Sequence, residues 1–315
     1  MQKVFVAAGL AACILVGTAS VGTLTAQRNE ILAWGPKTIK PSEWTGNNRP
    51  HYVYADLLAQ HKGQSNWHQV VLDDEHLKGV YISEAPGTKT PRRFHADTRE
   101  WWVVTQGQIR FSIDGQEPFV ASKGWLVQVP YRTIYSMETI GETPSIRLET
   151  NIAGAKTLYP MDVKPPKLDG FEFVPVRIAG PVSQDYKTNR IHATYEELAA
   201  EAEATPRHQA TLRFAHDDRG TVNFIYGRES DLPAINTADK GHYHPEGGEF
   251  WIVLSGHIRY KIEGMEPFIA GLYDTVYVPK SKFHLARWSG EGPSVRLAMN
   301  GYFDIAHLFE APVKP

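Results

Sequence analysis

The stretch Gly241-His-Tyr-His-Pro-Glu-Gly-Gly-Glu-Phe-Trp251 decides how the 315-residue chain is read. His242 and His244 lie two apart, so on a strand both side chains point the same way. Pro245 and the pair Gly247-Gly248 can turn the chain back, and Glu249 then opens the next strand facing the same interior. A fourth candidate, His284, follows Pro279. Three imidazoles and one carboxylate converging on one point suit Fe, Mn, Ni, Cu or Zn. A lone histidine would say little in a chain with 13 of them, and the weight lies in the set.

Working outward, the chain contains this region twice. Residues 93–151 align with residues 242–300 at a constant offset of 149, without a gap, with 23 identities over 59 positions. Gly107-Gln-Ile-Arg falls on Gly256-His-Ile-Arg, Glu117-Pro-Phe on Glu266-Pro-Phe, and Pro130 on Pro279. His51, Tyr54 and Leu57 recur as His192, Tyr195 and Leu198, so the duplication starts earlier. Within each copy, short β-rich runs are bounded by Gly, Pro and Asp: Trp102 to Val104, Ile109 to Ile113 and Val127 to Val129, then Phe250 to Leu254, Ile258 to Ile262 and Thr275 to Val278. Many short strands with turns between them predict an all-β fold of sandwich or barrel type. Helix is scarce, apart from a capping box, Thr194-Tyr-Glu-Glu, that opens a helix running to about Ala204. Residues 158–191, rich in Pro and Gly, read as a linker.

His242-x-His244-x4-Glu249-x6-Gly256, followed by Gly271, Pro279 and His284, resembles the two sequence motifs of the cupin superfamily. The resemblance covers both copies, about two thirds of the chain. It implies a two-domain bicupin of two tandem jelly-roll barrels with a few short helices, residues 51–157 and 192–309. The family's metal ligands carry over to His242, His244, Glu249 and His284, which would hold one divalent transition metal (Fe, Mn, Cu, Zn or Ni).

The first copy has Arg93, His95, Glu100 and Tyr135 at the aligned positions. An Arg stays protonated and cannot ligate, so the first barrel is expected to be degenerate and metal-free. Its Arg93 either forms an anion pocket or, the reading preferred here, pairs with Glu100 as an internal salt bridge replacing the metal's charge.

At the N-terminus, Lys3 precedes an apolar run of 13 residues, Val4 to Val16, and then small residues through Ala26. That run is short for a membrane span, which needs roughly 20. It reads as a signal peptide, residues 1–26, and predicts a periplasmic or secreted protein. Leu10-Ala-Ala-Cys13 also resembles a lipobox, which would put a lipid anchor on Cys13. Cys13 is the only cysteine, so the mature chain has no disulfide or thiol chemistry. A net charge of −2 gives no sign of a nucleic-acid or membrane-surface partner. The expected partner is a small-molecule substrate, and the chain is expected to be a monomer or homodimer.

Alternation turns Trp251, Val253, Ala286 and Trp288 inward, with Tyr260 and Tyr226 completing an aromatic wall. Tyr260 and Trp251 are the catalytic candidates, while Arg259 and Arg296 are placed on outward faces. The resemblance implies an exported, mononuclear metal-dependent enzyme, in first place a dioxygenase or other oxidoreductase acting on a small aromatic or carboxylated compound. Its alternatives are a metal-dependent lyase or decarboxylase, or a non-catalytic bicupin that binds a ligand or metal.

Overall fold

The structure is a computed structural model that describes residues 31–40, 42–180, 189–301 and 306–311. The expected signal peptide and its Cys13 lie outside the described residues. The described residues from Gly35 onward form one compact unit. No helix among the described residues is long and apolar enough to cross a membrane.

The fold is all-β, with two barrels built on one plan and every strand pairing antiparallel. In the first, a six-stranded sheet runs in the order His192–Thr194, Trp125–Val129, Glu100–Gln106, Ser145–Ile152, Leu77–Glu84, Trp67–Asp73. It closes on a three-stranded sheet made of Phe119–Ser122, Gln108–Ile113 and Tyr135–Ile140. In the second, the six-stranded order is His51–Tyr52, Thr275–Val278, Glu249–Ser255, Pro293–Asn300, Thr221–Arg228, Ala210–His216. The facing sheet there holds five strands: Phe268–Ala270, His257–Ile262, His284–Ser289, His242–Tyr243 and Leu308–Phe309. The strands expected from sequence lie inside these elements, and Thr194 caps the helix Tyr195–Glu203 through the full capping box. The described part of residues 158–191 has no helix and one strand residue, Leu158.

Two features position the site. The six-stranded sheets pack back to back, so that Tyr81, Trp101, Val103 and Leu148 of the first barrel share one core with Phe224, Phe250, Ile252 and Leu297 of the second. Each such side chain contributes roughly 1.5–3 kcal/mol by burial. These sheets are therefore buried on both faces, with the outer face the more apolar. The expected boundaries at 51 and 192 also do not follow the sheets. His51–Tyr52 pairs with Thr275–Val278 of the second barrel, and His192–Thr194 with Trp125–Val129 of the first. The exchanged strand is latched by polar contacts that a short edge strand needs: buried Asp274 accepts from the Tyr54 backbone N–H (2.8 Å) and pairs with His51 Nε2 (2.9 Å).

Candidate metal centre

His242 sits on the short strand His242–Tyr243, directly opposite His284 on His284–Ser289. Glu249 opens the strand Glu249–Ser255 across the barrel, opposite Val278. The chain enters His242 through Gly241, whose φ is +74°; a Cβ there would stand 1.9 Å from the His284 carbonyl oxygen, so only glycine allows the two histidine strands to close up.

The four expected ligands converge. One donor atom from each of His242, His244, Glu249 and His284 lies within 4.8 Å of the others. Glu249 Oε2 is 3.1 Å from His244 Nε2, 3.3 Å from His284 Nε2 and 4.0 Å from His242 Nε2. The far sides of two rings are fixed by the backbone: His244 Nδ1 donates to the Ala306 carbonyl (2.8 Å) and His284 Nδ1 to the Lys282 carbonyl (2.9 Å). That backbone anchoring selects the tautomer and orientation that leave Nε2 to a metal.

Charge in the cluster follows from its geometry. Burial opposes ionisation of Glu249, but hydrogen bonds from His244 and His284 overcome it and hold the carboxyl well below its usual range. Burial lowers His244 too, but its contact with Glu249 outweighs this and raises it. His242 is pushed down to about 2 by burial and by the neighbouring His284. Its Nε2 is buried with no hydrogen-bond partner. A buried acceptor left without a donor is costly in a metal-free protein and is what a metal ligand offers. The residues therefore fit one divalent metal ion, held by three imidazoles and one carboxylate.

The catalytic candidates Trp251 and Tyr260 lie in the interior beside the cluster. The Trp251 ring is 5.5 Å from His284 and 5.3 Å from Tyr260, and the Tyr260 hydroxyl is buried without a partner. Trp288 and Ala286 also pack into this interior. Two expectations are corrected. Tyr226 faces the core between the barrels instead, where it bonds Glu203, because its neighbours on Thr221–Arg228 alternate the other way. Arg296 points into the barrel rather than outward, because the apolar residues Val295, Leu297 and Met299 beside it are claimed by the inter-barrel core. Sequence reasoning also missed His307, whose ring centroid lies 4.5 Å from that of His242 and 4.7 Å from that of His244. The sequence carries no signal for it: Leu308-Phe309 brings it there by pairing with His242-Tyr243, as Thr157-Leu158 pairs with Phe94-His95 in the first barrel.

In the first barrel the aligned residues close on one another. His95 Nε2 lies 3.1 Å from Glu100 Oε2, and the Tyr135 hydroxyl donates to the same oxygen. Arg93 Nε donates to the Tyr135 hydroxyl (2.8 Å). Arg93 pairs with Glu149 at 3.4 Å and with Glu100 at 4.0 Å, so the expected Arg93–Glu100 pair is present and is the longer of the two. Trp102 Nε1 donates to the same Glu149 oxygen at 2.9 Å.

Residues 234–300 match the family described as Cupin domain. No curated protein matches the sequence. Among solved structures, a tryptophan-to-phenylalanine variant of Bacillus subtilis oxalate decarboxylase is 14% identical over 83% of this chain and 79% of that one, with a TM-score of 0.48. The same enzyme at pH 4.6 is 14% identical over 83% and 78%, with a TM-score of 0.47. A structure of the substrate binding mode of an oxalate decarboxylase is 13% identical over 83% and 79%, with a TM-score of 0.49. Superpositions this loose carry no argument about the chemistry of the present chain. The family match does bear on the site, since residues 234–300 are similar to the cupin domain and contain all four candidate ligands.

Proposed function

We propose that the second barrel is the working site of a mononuclear metal-dependent enzyme that acts on a small organic anion by lyase or decarboxylase chemistry. The observation that carries this reading is the donor set. Three neutral imidazoles and the single carboxylate of Glu249 leave a divalent ion with one uncancelled positive charge in a buried site. A site of that charge attracts an anion and polarises it, which is the Lewis-acid role of a metal ion. When bound, the metal supplies a Lewis acid. The chain supplies the rest: backbone carbonyls orient His244 and His284, and Trp251 and Tyr260 wall the interior against water.

The test is metal analysis followed by turnover of small carboxylates in air and under strict anoxia. One metal per chain with undiminished turnover in anoxia is expected. Turnover that stops without O2 restores the oxygenase reading, and a metal-loaded protein that binds anions without turning them over makes it a binding protein. Export is part of the proposal, supported by the N-terminal sequence: the mature chain should begin at Ser20 or Gln27, as read by N-terminal sequencing of protein from the periplasm or medium.

A further inference from the structure

The two barrels answer the same arginine differently. In the first, Arg147 is buried and held by two carboxylates, Glu84 (2.8 Å) and Glu149 (3.6 Å). Its counterpart at offset 149 is Arg296, placed identically in register: Arg147 lies opposite Ile82, and Arg296 opposite Ile225. That register makes Gly227 the counterpart of Glu84 and Ala298 the counterpart of Glu149. Both carboxylates are gone while the arginine remains. Among the described residues Arg296 has no ion pair, whereas Arg147 has two; the Nε of each is buried with no hydrogen-bond partner, Glu149 standing 3.6 Å from that of Arg147.

The other donors around Glu149 are repeated as well. Glu149 Oε2 is met by Arg93, Arg147 and the Trp102 indole. Their counterparts are His242, Arg296 and Trp251; Trp251 lies opposite Ala298, and Arg296 stands two residues from Ala298 on the same strand face. The room vacated at Gly227 is taken by the Trp288 ring, since a Cβ there would meet it at 2.5 Å. The indole Nε1 of Trp288 and the Tyr260 hydroxyl are also buried without partners. Several unmatched donors in one interior are a costly arrangement unless a ligand completes them.

We infer that Arg296, with Tyr260 and Trp288, forms a carboxylate-binding subsite in the second barrel, at the place that Glu149 fills in the first. The ligand is a small molecule with one planar carboxylate, which suits the guanidinium fork, and a flat apolar body between the aromatic rings. Arg296 is a positioning residue that orients the substrate beside the metal ligands. This rests on the reading of the second barrel as the working site, and names the chemical class of what enters it.

The probe is benzoate, titrated calorimetrically into the full-length mature protein, with benzamide as its neutral match. Benzoate should bind once per chain, and benzamide at least ~10-fold more weakly. Arg296→Gln should weaken benzoate at least ~30-fold, as expected for truncating one partner of a buried charge pair. The surface variant Arg259→Gln should change affinity less than ~2-fold. Ala298→Glu restores the internal carboxylate of the first barrel. It should abolish benzoate binding while melting no lower than the parent, which shows that the loss is not unfolding. Unchanged benzoate affinity in Arg296→Gln and Ala298→Glu overturns the subsite, as does equal binding of benzamide or no benzoate binding below about 10 mM. Metal content is read in the same samples. If benzoate binding depends on Arg296 in a chain that holds no metal, the metal reading fails and the subsite stands.

Discussion

In the first barrel the interior charges meet one another: Arg147 finds Glu84 and Glu149, Arg93 finds Glu149 and Tyr135, and His95 finds Glu100. In the second, Gly227 and Ala298 stand in place of Glu84 and Glu149, and of the three carboxylates only the counterpart of Glu100, Glu249, remains. Three histidines crowd one carboxylate, and His242, Tyr260, Trp288 and Arg296 each present a buried polar atom with no partner. The difference teaches how a duplicated fold divides labour. The first barrel pairs its interior cations with carboxylates, although Arg147 Nε is left without a hydrogen bond, and so has little to offer an anion. A barrel that leaves groups unsatisfied gives up stability and gains a site, and the first can hold the second in shape through their common core.

The comparison breaks most visibly on metal content. His244→Ala should remove the metal altogether, and His95→Ala should leave it at one per chain. Two metals per parent chain, or loss in His95→Ala, ends the asymmetry. Chelation should lower the stability of the parent by about 4 kcal/mol when free metal stands a thousandfold above its Kd, followed by denaturant melts.

Next comes Glu149→Ala, which removes the nearest carboxylate of Arg93 and one of the two that hold Arg147, leaving Glu84 at 2.8 Å. A loss of about 1.5–3 kcal/mol is expected, with metal content unchanged. A loss below ~1 kcal/mol would mean that the first interior is wet and its ion pairs weak.

A smaller effect concerns pH. Burial opposes the charge on Glu100, but the His95 hydrogen bond and the Arg93 charge prevail and hold its pKa at about 2. That contribution is present above the ordinary value of 4.5 and is lost as pH falls towards about 2. His95 is buried too, but its Glu100 contact raises it; its contribution is full below the ordinary 6.5 and lost as pH rises through the raised value. The stability gap between the parent and Glu100→Gln should therefore be widest between pH 4.5 and 6.5 and narrow on both sides, by thermal melts at several pH values. A gap that is flat with pH refutes the pairing. Smallest is Thr194→Ala, which should cost about 1 kcal/mol by removing a capping box that the matching helix Tyr54–Gln60, with Val53 before it, does not have.

Much of this was legible in the sequence. The repeat at offset 149 and the spacing of His242, His244, Glu249 and His284 are local patterns, and local patterns survive folding. What failed did so where a strand has two buried faces. On Pro293–Asn300 the usual rule of apolar inside and polar outside reverses, since Leu297 and Met299 serve the core between barrels and Arg296 is left for the interior. His307 was hidden for another reason. Its approach to His242 depends on backbone pairing by Leu308–Phe309, which no spacing in the sequence encodes. The exchanged strands were hidden in the same way: the recurrence of His51 as His192 shows a duplication but not which sheet each joins.

That exchange has a consequence for how the protein is made. His51 pairs with Val276, 225 positions later, so the first strand waits for nearly the whole chain before it has a partner. The first barrel, in turn, stays open until His192–Thr194 has left the ribosome. Closing such long loops is slow, and the two halves finish only together. The natural unit of synthesis, unfolding and degradation is therefore the pair of barrels, and cutting the chain between them should leave two fragments that each present a raw sheet edge.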